Sequence, residues 1–177
     1  MCIFGKTMLT EHALPALQQL SLVDLIDYIE ATHHQYIRDT APLLAEYTEK
    51  MVRAHGDEHN EIKPLAQAVN ALIAELMPHL MKEERILFPA IKSLSLGEPA
   101  HGCFGHISNP INMMLHEHDN ADQILDTIRS LTNNYTPPAG VCSTWQTCYR
   151  TLAEFDADLQ NHIDVENMLL FPKALAL

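Results

Sequence analysis

The stretch HLMKEERILFP, residues 79–89, returns near the end of the chain as HIDVENMLLFP, residues 162–172. Both copies read His, three residues, Glu, four residues, Phe-Pro. Side chains four apart on a helix share a face, with Cβ atoms about 5–6 Å apart, so each copy sets an imidazole beside a carboxylate. Both pairs continue an apolar stripe: Leu65, Val69, Leu72, Leu76, His79, Glu83, Ile86, Ala90 in the first, and Trp145, Cys148, Leu152, Phe155, Leu159, His162, Glu166, Leu169 in the second. Steps of three and four mark the core-facing side of a helix. A carboxylate placed there costs several kcal/mol unless a partner or a metal compensates it. One such pair reads best as a local hydrogen bond on a half-solvated face; two in the same register demand a common cause.

Working outward, a further histidine precedes each copy at nearly the same distance, His34 before His79 and His118 before His162. The chain thus reads as a duplicated helical hairpin, one His on the first helix and His plus Glu on the second. Turn signals complete the outline. Ser21 with Asp24 forms a capping box opening a first helix that runs to about residue 54, and a second runs from about Pro64 to Lys92. A third starts near Asn109 or Pro110 and stops before TNNYTPPAG (132–140); Ser143 with Gln146 caps a fourth that ends near Phe171. Pro42 falls inside the first helix and must kink or split it. Short connections between long amphipathic helices predict an all-α, up-down-up-down four-helix bundle over residues 21–177, preceded by a short N-terminal extension, residues 1–20. Six Gly in 177 residues and a 47% apolar share suit one helical core.

Acidic residues outnumber basic ones 23 to 11. That balance repels nucleic acid and anionic membrane surfaces, so neither is an expected partner. No apolar run approaches the roughly 18–20 residues of a bilayer span, and the N-terminus lacks the features of a secretion signal, which together predict a cytoplasmic protein. Cys2, Cys103, Cys142 and Cys148 are scattered, without zinc-knuckle or redox-pair spacing, and read as reduced, mostly packing thiols.

With about 1.5 Å of rise per residue, His34, His79, Glu83, His118, His162 and Glu166 fall at one level in the middle of the bundle. Of the other histidines, His55 shares the register of His34 but lies about 30 Å further along, and reads as a cap or surface residue unless Pro42 folds the segment back. His116 faces away; His12, His59, His101 and His106 lie in termini or loops. His33 competes with His34. Counting forward from Leu22, Ile26 and Ile29 favours His33, whereas the spacing of the duplicate and the downstream stripe Ile37, Ala41, Leu44, Thr48, Met51 favour His34. Four imidazoles and two carboxylates exceed one tetrahedral zinc, and predict two ions, each glutamate bridging them and two histidines capping each. Iron suits this donor set, with manganese or zinc as substitutes, and an oxo or hydroxo bridge would take up charge on oxidation. Six ligands leave positions open to O2 or NO. Glu75 and Glu117 are candidates for a polar route inward, Asp122 and Asp158 for outer acceptors, and Glu84 reads as an ordinary neighbour.

The segments HLMKEERILFP, HEHDNA (116–121), NNYTPP (133–138) and NHIDVENMLLFP (161–172) resemble, in order, the hemerythrin-like domain of the repair-of-iron-centres di-iron proteins, over about residues 22–176. The resemblance implies a hemerythrin-like bundle whose non-haem di-iron centre serves recovery of iron-sulfur clusters damaged by nitric oxide or peroxide. It also implies His34, His79, His118 and His162 as terminal ligands and Glu83 and Glu166 as bridges. Longer members carry an N-terminal cysteine pair; about twenty residues with a lone Cys2 precede the first helix here, so that region's role is not carried over. The ligand set also departs from the five-His pattern of oxygen-carrying hemerythrins. The resulting expectation is a di-iron stress protein that supplies iron to damaged iron-sulfur proteins, with redox chemistry on NO or O2 leaving its enzymatic status open. An O2 or NO sensor or carrier is the alternative, and a purely structural helical module is a third reading.

Overall fold

The computed structural model describes residues 13–99 and 104–177. His12, His101, Cys2 and Cys103 lie outside the described residues. A short helix α1 (Ala13–Gln18) leads into four long ones: α2 (22–55), α3 (62–95), α4 (Ser108–Leu131) and α5 (143–175). Helix α2 packs against α3 and α5, and α3 against α4, the neighbour relations of an up-down-up-down bundle. No helix among the described residues is long and apolar enough to cross a membrane.

The stripes read from the sequence form the core. Leu65, Val69, Leu72 and Leu76 of α3 are buried together with Trp145, Cys148, Leu152, Phe155 and Leu159 of α5 and with Ile37, Leu44 and Met51 of α2. A second cluster at the other end joins Leu25, Ile26 and Ile29 to Phe88, Ile91, Ile111, Met114, Leu170 and Phe171, and takes in Leu17 of α1. Lys173 ties the same end down by donating to the carbonyls of Gln18 and Leu20, both at 2.8 Å. Buried His and Glu side chains occupy the layer between the two clusters.

Three of the long helices are not α-helical throughout. Each contains one widened π turn: Glu30–His34 in α2, Glu83–Leu87 in α3 and Glu166–Leu170 in α5. The amides of Gln35, Phe88 and Phe171 reach back five residues, to the carbonyls of Glu30, Glu83 and Glu166. In α3 and α5 the residue after that bond is proline, Pro89 or Pro172, which has no amide to extend either helical ladder. The Phe-Pro steps therefore mark where the α-helix resumes. In α3 the helix continues past it to Ser95. The extra residue also moves the stripe by one position, so that Ile86, expected in the core, is 47% exposed while Leu87 and Phe88 are buried.

Other expectations change in detail. Helix α2 runs through Pro42 without ending, the ring lying on the exposed side. Ser21 caps α2 as expected, its Oγ accepting from the Asp24 amide at 3.1 Å. The Ser143–Gln146 box does not form: Cys142 is the capping residue, and the Gln146 side chain donates to the Val141 carbonyl instead. After α4, Asn133, Asn134 and Tyr135 adopt φ of 48°, 52° and 59° in succession. Left-handed backbone costs about 1–2 kcal/mol per non-Gly residue. The turn is offset by Asn134 N donating to Arg129 O at 2.8 Å, and by the Tyr135 hydroxyl donating to Asp156, which Arg129 also holds through two bonds.

Candidate metal centre

All four long helices contribute to the buried polar layer: His34 from α2, His79 and Glu83 from α3, His118 from α4, His162 and Glu166 from α5. The structure brings all six sequence-predicted residues together in two sets. His34, Glu83, His162 and Glu166 form one, and His79, Glu83, His118 and Glu166 the other; within each set the donor atoms all lie within 4.8 Å of one another. Both carboxylates belong to both sets. Glu83 Oε2 is 3.3 Å from His34 Nε2 and 3.5 Å from His79 Nε2. Glu166 reaches His118 Nε2 with one oxygen and His162 Nε2 with the other, both at 3.1 Å.

These close approaches are not aligned as hydrogen bonds. Both oxygens of Glu83 and of Glu166, together with Nε2 of His34 and of His162, are buried without a hydrogen-bond partner among the described residues. Fully buried donor atoms that converge without bonding one another are costly. His79 Nε2 and His118 Nε2 stand 3.2 Å apart, close to the spacing of two imidazoles on one ion with bonds of about 2.1 Å. Nitrogen lone pairs and carboxylate oxygens converging in two overlapping sets fit a pair of cations.

The outward-facing nitrogens complete the pattern. His34 Nδ1 bonds Glu84 at 2.7 Å, and Glu84 is in turn held by Arg38. His79 Nδ1 bonds Glu117 at 2.9 Å, and Glu117 is held by Lys82. His118 Nδ1 bonds Asn167 at 3.0 Å. An Nδ1–H donated outward leaves the Nε2 lone pair facing inward. Burial is the main influence pushing His34 and His79 down to about 4, so both are neutral at neutral pH and able to bind a cation. Burial also drives the Glu83 carboxyl well above its ordinary range, reinforced by the neighbouring Glu166. For Glu166 burial acts the same way but is outweighed by His162 and His118, which hold it low. His118 is itself raised, burial being overcome by its contact with Glu166.

The outer residues follow the duplication. The residue after each core glutamate, Glu84 or Asn167, bonds the histidine on the first helix of the same hairpin. Reading Glu84 as an ordinary neighbour is therefore corrected, and Asn167 is a residue the sequence argument missed. The residue before His118 is Glu117, which bonds His79; the residue before His34 is His33, at the equivalent place beside His162. Here the symmetry breaks. His33 stacks on His162 with ring centroids 5.6 Å apart and bonds Asp158 at 3.0 Å, and His162 Nδ1 has no partner among the described residues. Asp158 thus serves His33, outside both donor sets, and Asp122 is held by Gln160. Glu75 and Glu117 line a cleft with Leu76, Ala121, Leu159 and Ile163 that reaches His79, His118 and His162.

The sequence profile of the hemerythrin HHE cation-binding domain matches residues 25–174. The chain is 41% identical over 164 residues to the iron-sulfur cluster repair protein YtfE of Yersinia pseudotuberculosis serotype O:1b (strain IP 31758), covering 93% of this chain and 71% of that protein. It is 43% identical over 154 residues to the protein of the same name from Musicola paradisiaca (strain Ech703), covering 87% and 66% respectively.

Proposed function

This chain belongs to the hemerythrin HHE cation-binding domain family, and from that membership we propose that it is a non-haem di-iron protein acting in the repair of damaged iron-sulfur clusters. The observation that carries the metal part is the layer of buried, unbonded donor atoms shared between two overlapping sets. The repair part rests on the similarity to proteins named for iron-sulfur cluster repair. His34 and His162 would hold one ion and His79 and His118 the other, with Glu83 and Glu166 spanning both. Two ions of iron, for which manganese or zinc are possible substitutes, would supply redox-active and exchangeable metal with positions open to small diatomics.

The protein's own residues then have separable tasks. Glu84 and Glu117 fix the ring orientation of His34 and His79, and Arg38 and Lys82 balance the charge of those carboxylates. Burial pushes the Glu84 and Glu117 carboxyls up, but their cationic and imidazole partners outweigh it and keep both ionised. The cleft lined by Glu75 and Glu117, which reaches His79, His118 and His162, would be the side from which iron or a diatomic such as NO or O2 approaches. Clients of the reaction would be iron-sulfur proteins of the cytoplasm.

The test is restoration of an iron-sulfur enzyme inactivated by nitric oxide. Iron-loaded protein should restore its activity faster than an equal amount of free ferrous iron. His79→Leu and Glu166→Leu should hold less than the parent's two irons per chain and restore no more than free iron does. Equal recovery with free iron alone would reject the repair reading while leaving the metal centre standing.

A further inference from the structure

At the end of the bundle remote from the metal centre, two groups with no part in it stand together. Cys142 Sγ lies 3.4 Å from His55 Nε2. His55 ends the main α-helical part of α2, 21 residues beyond His34, which at about 1.5 Å per residue is roughly 30 Å away. Cys142 is exposed and caps α5, with no side-chain capping bond of its own. The imidazole is held from behind. Trp145, fully buried and with its indole N–H unpartnered among the described residues, packs its ring 5.5 Å from that of His55 and 4.8 Å from that of His59. A nucleophile within reach of a base whose ring is fixed by packing is the arrangement that activated thiols require.

We propose that Cys142 and His55 form a reactive thiol–imidazole pair, a site of reversible thiol–disulfide exchange with low-molecular-weight disulfides. The Cys142 S–H gives its proton to His55 Nε2, and the thiolate forms a bond to one sulfur of the incoming disulfide. The original S–S bond breaks, and the departing thiolate takes the proton from His55. Cys142 is oxidised to a mixed disulfide while half of the incoming disulfide is reduced to free thiol. Cys148, two turns further along α5, supplies an internal control: it is buried, and burial pushes its thiol up to about 12.

The experiment uses the metal-loaded full chain carrying Cys2→Ser and Cys103→Ser, incubated with glutathione disulfide and followed by intact-mass and peptide mass spectrometry. A single adduct is expected on Cys142, reversed by dithiothreitol, with Cys148 unmodified. In His55→Gln it should form about tenfold or more slowly at neutral pH, with helicity unchanged by circular dichroism. A peptide spanning residues 137–147, which contains Cys142 alone, provides a comparison independent of folding, and the parent should react about tenfold or more faster than it. A rate in the parent equal to that of the peptide, or an adduct rate unaltered in a folded His55→Gln, would overturn the proposal.

Discussion

Glu83 and Glu166 occupy equivalent places in the two copies, yet without metal they carry unequal charge. Glu166 has imidazoles at 3.1 Å on both oxygens. Glu83 has looser imidazole contacts and the charge of Glu166 beside it, and its carboxyl is driven well above the ordinary range. A folded-state pKa raised in this way gives a contribution to stability that is fully present below the ordinary carboxylate pKa. That contribution is lost as pH rises through the raised value, because the folded chain must hold a proton the unfolded chain has released. Glu83→Gln removes the ionisation and keeps the shape. Metal-free Glu83→Gln should therefore be more stable than the metal-free parent at pH 7–8, by on the order of 1–3 kcal/mol, and unfold at a higher temperature, and the gap should close toward pH 4. Thermal unfolding across that pH range, monitored by circular dichroism after chelation, measures it. A variant less stable than the parent at neutral pH would show that Glu83 is compensated without metal.

At the level of the element, the π turns reconcile two readings that conflicted in the sequence. Counting from Leu22 pointed to His33 and counting back from Met51 pointed to His34, and both are buried. The widened turn 30–34 lies between the two registers, so each count is right on its own side. π turns of this kind recur at functional sites because they redirect a side chain without ending the helix. Removing one residue from the turn tests this. Deleting Thr32, which is exposed, should return α2 to α-helical register and rotate residues 22–31 by about 100°, taking Leu25, Ile26 and Ile29 out of the core. At about 1.5–3 kcal/mol for each such side chain, the loss should be several kcal/mol by urea denaturation. Thr32→Ala should change stability by about 0.5 kcal/mol or less. Similar values for deletion and substitution would mean the turn has no role in register.

The same turns explain what was legible and what was not. The stripes through Leu65–Leu76 and Trp145–Leu159 follow plain steps of three and four, and so do the polar positions His79, Glu83, His162 and Glu166 that break them. A π turn leaves no pattern of its own; its trace is the conflict at His33 and His34 and the misplacement of Ile86. Asn167 could have been found by carrying the duplication one residue past each glutamate.

For the whole molecule, the polar layer is where the four helices would be joined or held apart. It separates two apolar clusters, and each long helix sends at least one donor into it. Without metal, both oxygens of Glu83 and of Glu166 and Nε2 of His34 and of His162 have no hydrogen-bond partner among the described residues, and the layer should couple the two clusters weakly. In the proposed two-ion centre, side chains from three helices would hold each ion, and binding to the folded chain alone would add to its stability: about 2.7 kcal/mol at a hundredfold excess over the dissociation constant. Iron-loaded protein should therefore melt several degrees above the chelated form. Amide hydrogen exchange should show where the gain falls. Residues 79–88 and 162–171, between the clusters, should gain the most protection on loading, whereas 65–72 and 145–152, inside one cluster, should change little. His34→Leu, which withdraws α2 from the layer, should lower both the melting gain and the protection of 79–88. Equal melting temperatures and equal exchange in loaded and chelated protein would mean that the layer is satisfied by itself and that the bundle needs no metal to be whole.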